Sequence, residues 1–149
     1  MEYFKISGGK KLSGQISVHG AKNSALPILA STLLIKGESV IHNCPDLSDV
    51  RVTLDILKSL GCKVKREKST VLVDASVVNK NEISEHTMRT MRSSIIFLSA
   101  LLSRKGSASI FYPGGCEIGT RPIDLHLKAF HHLGADGSVN GSSSNACAT

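Results

Sequence analysis

An internal repeat runs through most of this sequence. Residues 23–37 align with residues 92–106 at a constant offset of 69, and Gly61 aligns with Gly134 at an offset of 73. Apolar residues coincide in both alignments: Leu26 with Ile95, Ile28 with Phe97, Leu29 with Leu98, Leu33 with Leu102, Val50 with Ile123, Val52 with Leu125, Leu54 with Leu127, Leu57 with Phe130 and Leu60 with Leu133. Solenoid units are shorter (about 20–50 residues), so we interpret the repeat as a duplicated supersecondary unit. Chance similarity between amphipathic helices is the alternative interpretation.

The first copy of the repeat combines helical and alternating patterns. Apolar residues at helical spacing and glycines just past each apolar run predict two helices, and alternation predicts strands. In chain order we predict a helix over 23–35, a strand over 37–43, a helix over 48–60 and a hairpin over 62–75.

The second copy predicts the same order of elements. It gives a helix over 87–103, a strand over 107–112, a loop over 113–122 and a helix over 123–133. A further strand over 11–21, ending at Gly20, precedes both copies. Because helices and strands mix along the whole length, we predict an α/β fold of repeated βαβαββ-type units.

The length and composition suit one domain with its own core. The chain has 149 residues, of which 41% are hydrophobic, and a chain of this size can bury about two thirds of its unfolded surface. We divide it into an amino-terminal strand segment, 1–21, and two repeat units within 22–137. The closing residues 138–149 are rich in Ser, Asn and Gly and depart from the repeat, so we expect a disordered or truncated end there.

Several classes of protein are disfavoured by the pattern of apolar residues and cysteines. A helix that spans a membrane needs about 20 mostly apolar residues. The longest mainly apolar run in this sequence, residues 25–35, has only eleven. The first residues carry charges and no secretory signal pattern, so we expect a cytoplasmic protein without membrane insertion. No CxxC pair or cysteine–histidine cluster predicts a metal site, and reduced thiols are expected for Cys44, Cys62, Cys116 and Cys147.

The net charge of +6 is compatible with nucleic-acid binding, with an anionic small substrate, or with no functional role for the charge. The densest basic stretch alternates along a predicted strand at Lys63, Lys65, Arg66 and Lys68. Two Tyr, four Phe and no Trp offer few surfaces on which nucleic-acid bases could stack. We therefore favour a phosphate-bearing metabolite over nucleic acid, and a basic nucleic-acid-binding domain stays as the lesser alternative.

A glycine-rich loop at 113–122 carries the first candidate site residues. Cys116 lies among three glycines and five residues before Arg121. Backbone amides and a nearby cation stabilise a thiolate, so this pattern is typical of a reactive cysteine. In the alternative interpretation, Cys116 is a small apolar side chain and the glycines only turn the chain.

The helix that follows this loop begins with residues suited to an anion or a polar ring. Pro122 stands at the first helical position, where its missing N–H has no consequence. The amides at the helix start can bind an anion. Asp124 lies in the first turn, where it either interacts with the helix dipole or accepts hydrogen bonds from a ligand.

A second candidate site lies at the start of the first repeat. Lys22 and Asn23 stand where a predicted strand ends and a helix begins, and Arg92 is the counterpart of Asn23 in the second copy. Charge and helix amides both attract anions, so the pair of positions suggests a shared cleft. Alternatively, Asn23 is only a helix cap and Arg92 is only solvated.

Three motifs resemble a known family. They are HGAKNSALPILASTLL at 19–34, MRSSI at 91–95 and PGGCEIGTRPIDLH at 113–126. The sequence from about residue 10 to 134 resembles the amino-terminal part of the UDP-N-acetylglucosamine 1-carboxyvinyltransferases, a family of enolpyruvyl transferases. The related enzymes that make enolpyruvylshikimate phosphate share the repeated unit but lack the cysteine loop.

The resemblance implies a fold of two lobes, each an inside-out α/β barrel with three copies of the repeated unit. The active site lies between the lobes, and residues 1–21 pack with the second lobe. A third unit of the first lobe, the second lobe, a catalytic aspartate and a further substrate-binding arginine have no counterpart here, so the barrel is expected to be incomplete.

The resemblance also implies a reaction. The family transfers the enolpyruvyl group of phosphoenolpyruvate to the 3′-hydroxyl of UDP-N-acetylglucosamine and releases phosphate, the first committed step of bacterial peptidoglycan synthesis. This implies roles in cell-wall biogenesis, cell shape and cell division, a cytoplasmic location and sensitivity to fosfomycin. Neither a metal nor an organic cofactor is expected.

Individual residues take roles from the family by matching its motifs. Cys116 matches the catalytic proton donor, which also adds covalently to phosphoenolpyruvate. Lys22 and Asn23 match residues that hold phosphoenolpyruvate and the developing charge, which makes Lys22 a second catalytic candidate. Arg92 matches an arginine that reaches the sugar nucleotide. The segment that grips the nucleotide is matched by Arg121, Pro122, Ile123, Asp124 and Leu125, and joining the group that holds phosphoenolpyruvate is the alternative role of Arg121.

The shorter length leaves more than one function open. We expect a partial transferase with reduced or no activity of its own, unless a complementing chain supplies the missing lobe. A sugar-nucleotide-binding fragment without catalysis is the first alternative, and the basic nucleic-acid-binding domain is the second.

Overall fold

The computed structural model describes residues 3–111, 123–140 and 143–148. Five helices and six strands alternate along these residues. The helices are α1 (Lys22–Ser31), α2 (Ser48–Ser59), α3 (Glu85–Thr90), α4 (Ile96–Lys105) and α5 (Asp124–His132). The strands are β1 (Glu38–Ile41), β2 (Lys63–Glu67), β3 (Thr70–Asp74), β4 (Ser107–Phe111), β5 (Ala135–Asn140) and β6 (Ser143–Ala148). The α/β class is confirmed.

The two copies of the repeat build two sheets with the same strand order. In the first sheet β3 lies between β1 and β2, and in the second β6 lies between β4 and β5, with all of these pairs antiparallel. In each copy, therefore, the last strand is the central one of the three. The shared order confirms the duplication inferred from the aligned apolar residues.

The core of the molecule joins both copies. Helices α1 and α4 supply aligned residues of the repeat, among them Leu26, Leu29, Phe97 and Leu98, and each of these is at most 2% exposed. They belong to one cluster together with residues of α2, β3 and β4. Burial of apolar surface is the dominant favourable term in folding, so this shared cluster holds the two copies together.

One predicted helix is interrupted in the structure. The helix expected over 87–103 is divided into α3, a 3-10 turn at Arg92–Ile95, and α4. Met91 separates them with an extended backbone (φ −139°, ψ 127°), and its side chain is buried at 2% exposed. Local helical spacing was misleading here because burying Met91 against α2 fixes the chain in another conformation.

The carboxyl-terminal segment also differs from expectation. We expected a disordered or truncated end over 138–149, but β5 and β6 extend through most of this range, and β6 pairs with both β4 and β5. The segment has few apolar residues, so its sequence shows no strand pattern. The strands form nevertheless, because backbone hydrogen bonds to a neighbouring strand do not depend on side-chain type. The division into an amino-terminal segment and a two-unit lobe stays a prediction.

The strand predicted over 11–21 is absent from the structure. Residues 3–21 form neither helix nor strand and are exposed almost throughout. A strand needs a partner for its backbone groups, and the segment has none among the described residues. Within the described ranges, no helix is long and apolar enough to cross a membrane.

Candidate active site

Lys22 and Asn23 are the first two residues of α1. Ala21 precedes them with an extended backbone, and no side chain of the described residues caps the helix. The first amides of a helix have no partner inside the helix and carry a partial positive charge. The start of α1 therefore offers backbone donors beside the Lys22 ammonium group.

Gly20 fixes where this helix begins. A side chain at this position would overlap the Asn43 carbonyl oxygen, and its Cβ would lie 3.3 Å from the Pro45 ring. Only glycine permits so close an approach between the two backbones. The contact places the start of α1 beside the loop that leads from β1 to α2.

An ion pair joins the amino-terminal ends of α1 and α2. Lys22 Nζ lies 2.8 Å from Asp49 Oδ2, and the side chains are 46% and 30% exposed. Asp49 stands in the first turn of α2, where a carboxylate interacts favourably with the helix dipole. An exposed pair of this kind contributes at most about 1 kcal/mol, so an anionic ligand can compete for Lys22.

Sequence reasoning missed Asp49. Nothing in the spacing connects it with Lys22, from which it is 27 residues away. The available signal was an acidic residue in the first turn of a predicted helix, which commonly serves only the helix dipole.

Thr53 and Met91 connect α2 to the second copy of the repeat. Thr53 is fully buried, and its hydroxyl lies 2.9 Å from the Asp49 carbonyl oxygen and 3.5 Å from Met91 Sδ. Met91 thus contacts α2 one turn from Asp49, and Arg92 is the next residue along the chain. Lys22 and Met91, the residue before Arg92, therefore both contact α2; the Arg92 side chain lies outside what the structure describes.

Of the remaining predicted site residues, the structure describes some and not others. Cys116, Arg121 and Pro122 lie outside them. Ile123 is 2% exposed and directly precedes α5. Asp124 lies in the first turn of α5, and Leu125 is 81% exposed.

Helix α5 lies beside α1 and α4 across an apolar groove. The groove has a volume of about 460 Å³ and is lined from α1 by Pro27 and Ala30, from α4 by Ile96, and from α5 by His126 and Phe130. His126 follows Asp124 by two residues. The first turns of α5 thus line the same groove as the middle of α1.

The described cysteines differ from the reactive thiol that the sequence predicts at Cys116. Burial raises the pKa of the Cys44 thiol, with Arg66 opposing the effect. Burial likewise raises the pKa of the Cys62 thiol, opposed by Arg104. Since the thiolate is the nucleophilic form, both thiols are poor nucleophiles at neutral pH.

A bidentate ion pair stiffens the loop ahead of α2. Arg51 Nε and Nη2 each donate to Asp46 at 2.8 Å, and this hydrogen bonding holds the pKa of the Asp46 carboxyl below its usual range. Arg66 Nη2 donates to the Cys44 carbonyl at 2.9 Å.

Within the described part of the chain, no cluster of three His, Cys, Asp or Glu side chains could hold a metal ion.

The comparisons of this chain with known proteins all point to one family. The family described as EPSP synthase (3-phosphoshikimate 1-carboxyvinyltransferase) matches residues 6–148. A UDP-N-acetylglucosamine 1-carboxyvinyltransferase 2 from Caldanaerobacter subterraneus is 55% identical over 136 residues, which are 91% of this chain and 33% of the relative. A UDP-N-acetylglucosamine 1-carboxyvinyltransferase from Wolinella succinogenes is 45% identical over 142 residues, 95% of this chain and 34% of the relative. The chain thus spans about a third of the length of these relatives.

Solved structures agree with the sequence relatives. The enolpyruvyl transferase NikO from Streptomyces tendae superposes with a TM-score of 0.80 at 25% identity, covering 95% of this chain and 31% of that protein. EPSP synthase from Acinetobacter baumannii gives a TM-score of 0.60 at 18% identity, covering 89% of this chain and 31% of that protein, and supports the fold alone.

Proposed function

This chain belongs to the EPSP synthase family of enolpyruvyl transferases, and from that membership we propose that it forms part of an enzyme that transfers the enolpyruvyl group of phosphoenolpyruvate to the 3′-hydroxyl of UDP-N-acetylglucosamine. The observation that carries the proposal is the 55% identity over 136 residues with a UDP-N-acetylglucosamine 1-carboxyvinyltransferase. The proposed role is in bacterial cell-wall synthesis in the cytoplasm.

Phosphoenolpyruvate would bind at the start of α1. The Lys22 ammonium group and the first helix amides offer positive charge to its phosphate and carboxylate. Displacing Asp49 from Lys22 exchanges one carboxylate for another anion and requires no rearrangement of the helices. Asn23 would add a polar side chain to the same end of the helix.

The proposed chemistry is addition followed by elimination. Cys116 donates a proton to C3 of phosphoenolpyruvate, which makes C2 electrophilic, and the sugar 3′-hydroxyl adds to C2 while losing its proton. The tetrahedral ketal then loses a proton from C3 and expels phosphate, which restores the double bond. Arg92 and the segment of Arg121, Pro122, Ile123, Asp124 and Leu125 would hold the sugar nucleotide.

Phosphate release tests the transfer. Purified chain is assayed with both substrates, alone and mixed with a polypeptide carrying the remaining two thirds of a relative. We expect release that requires both substrates and is abolished by Cys116→Ala and strongly reduced by Lys22→Ala. No release from the mixture, although both polypeptides are folded, would contradict the proposal.

Covalent labelling tests the site separately from turnover. We expect fosfomycin, an epoxide, to alkylate Cys116 and leave the buried thiols of Cys44 and Cys62 unmodified. Peptide mass spectrometry locates the adduct, with Cys116→Ala as the variant that should lose it and Cys147→Ser as the control that should not. Equal labelling of all four cysteines would indicate an unfolded chain.

Binding without transfer is the second candidate, and the chain's coverage of one third of its relatives favours it. It predicts that UDP-N-acetylglucosamine binds and that phosphate is not released, in the presence or absence of the added polypeptide. Titration calorimetry with the sugar nucleotide, run beside the phosphate assay, separates the two functions.

A further inference from the structure

Arg66 occupies a position on β2 where the second copy of the repeat has an apolar residue. Exposure alternates along β2, and Arg66 lies on the less exposed face together with Val64. Its side chain is only 21% exposed. In the second copy, Val139 stands at the equivalent register of the sheet, 73 residues later. Because arginine is rarely buried without a specific partner, the shared fold of the two copies does not explain why an arginine is here.

The Arg66 guanidinium joins the turn between β2 and β3 to the loop that leads from β1 to α2. Nε donates to the Lys68 carbonyl at 3.0 Å, and Nη2 donates to the Cys44 carbonyl at 2.9 Å. Nη1 is buried and lies 3.8 Å from Asp46 Oδ1. Hydrogen bonds from a charged donor are stronger than neutral ones, so Arg66 is a firm link between the turn and the loop.

Further contacts fix the same loop. The Cys44 N–H donates to the Ser69 carbonyl at 2.7 Å, so both backbone groups of Cys44 are bonded to the hairpin. Asp46 accepts two hydrogen bonds from Arg51 of α2. Asn43 has a left-handed backbone with φ of 53°, a conformation that persists where the surrounding structure holds it. The hairpin and α2 together therefore set the path of the loop.

The opposite side of this loop contacts the residues just ahead of α1. Gly20 approaches the Asn43 carbonyl so closely that a side chain at Gly20 would overlap it, and Lys22 begins α1 two residues later. The carbonyls of Asn43 and Cys44 belong to consecutive residues. A change in how Arg66 holds the Cys44 carbonyl would therefore move the surface against which Gly20 packs.

We propose that Arg66 is a positioning residue for the candidate phosphoenolpyruvate site. By holding the Cys44 carbonyl, its guanidinium fixes the Asn43 carbonyl against Gly20 and so sets where the Lys22 ammonium group and the first amides of α1 lie. Arg66 acts through the loop rather than on the ligand. The proposal rests on the function proposed above, in which Lys22 holds phosphoenolpyruvate.

Arg66→Met tests the positioning, because it keeps an unbranched side chain and removes the guanidinium. We expect the NMR signals of the Lys22 and Asn23 amides to shift in the ligand-free chain. On titration with phosphoenolpyruvate, we expect the affinity to fall about tenfold, since a small displacement of a binding group weakens its contacts strongly. The affinity for UDP-N-acetylglucosamine, whose proposed residues lie in the second copy, should stay unchanged.

Two control variants separate positioning from charge and from stability. Lys63→Met removes a positive charge from a residue of the same strand that is 89% exposed. Val71→Ala removes core contacts from the residue opposite Arg66 on β3 and should lower the urea midpoint. Both controls should leave the Lys22 and Asn23 amides and the affinity for phosphoenolpyruvate unchanged.

Arg66→Lys provides a second measurement of the same role. It keeps the positive charge, but a single ammonium group does not reproduce the planar set of donors that bridges two carbonyls. We therefore expect a loss of affinity for phosphoenolpyruvate in this variant too. If Arg66→Met does not fold, Arg66→Lys decides the question.

The outcomes separate this inference from the proposed function. Unchanged affinity for phosphoenolpyruvate in the Arg66 variants would overturn the inference. Equal losses for both ligands, or an equal loss in Val71→Ala, would also overturn it, because Arg66 would then serve stability alone. If the wild-type chain did not bind phosphoenolpyruvate at Lys22, the proposed function would fail, whereas shifted Lys22 and Asn23 amides in Arg66→Met alone would still show that Arg66 sets the start of α1.

Discussion

Lys22 and Asp49 lie 27 residues apart in sequence and have charged atoms 2.8 Å apart. The cation that would attract phosphoenolpyruvate is therefore partly neutralised within the chain itself. Both side chains are open to solvent, so screening keeps the pair weak. Asp49 acts as an internal counter-ion that an incoming phosphate or carboxylate must displace.

We expect Asp49→Asn to bind phosphoenolpyruvate about two- to fivefold more tightly, because the competing negative charge is removed and the amide oxygen still accepts a hydrogen bond from Lys22. Titration calorimetry measures the change. Asp55→Asn, which loses a comparable ion pair with Lys58 at 2.9 Å on the same helix, serves as the control and should leave the affinity unchanged. Weaker binding by Asp49→Asn would show that Asp49 mainly orients Lys22.

At the level of elements, sequence patterns located most helices and strands because their apolar residues recur at a regular spacing. Helix α2 and the hairpin of β2 and β3 lie within two residues of their predicted ends. The break at Met91 and the strands β5 and β6 could not be predicted, because each depends on contacts with residues distant in sequence. The same limitation applies to the candidate site. The motif at residues 19–34 contains Lys22, but it gives no sign that Asp49 forms an ion pair with Lys22.

The junction between the amino-terminal segment (residues 3–19) and α1 depends on a single glycine, Gly20. Gly20→Ala would place a methyl group against the Asn43 carbonyl, so we expect a loss of about 1–3 kcal/mol in the free energy of unfolding and a shift of the start of α1. Urea denaturation measures the first, and chemical-shift changes at Lys22 and Asn23 measure the second. Gly37→Ala is the control, since nothing lies within 4 Å of its added Cβ; equal effects of the two variants would refute the explanation.

On the scale of the whole molecule, the duplicated halves share one core and divide the candidate site between them. Lys22 and Asn23 come from the first copy, while Arg92 and the segment from Arg121 come from the second. The sequence repeat predicted two similar halves, but it could not predict how they pack. The contact of Thr53 with Met91 joins α2 of one copy to the residue before Arg92 in the other, so we expect the candidate site to require both copies to be folded together.

This dependence predicts that the two copies unfold in one transition. Leu29 and Leu98 are aligned residues of α1 and α4, and both are fully buried, so Leu29→Ala and Leu98→Ala should each lower the free energy of unfolding by about 2–5 kcal/mol. Urea unfolding followed by the amide signals of Ile41 and Ile110 reports on the two sheets separately, and both signals should shift to the same midpoint in either variant. Ile28→Ala, at a half-exposed position of α1, should change the midpoint much less. If Leu29→Ala displaced only the Ile41 signal, the copies would be independent units, and the candidate site could then lose one half without unfolding the other.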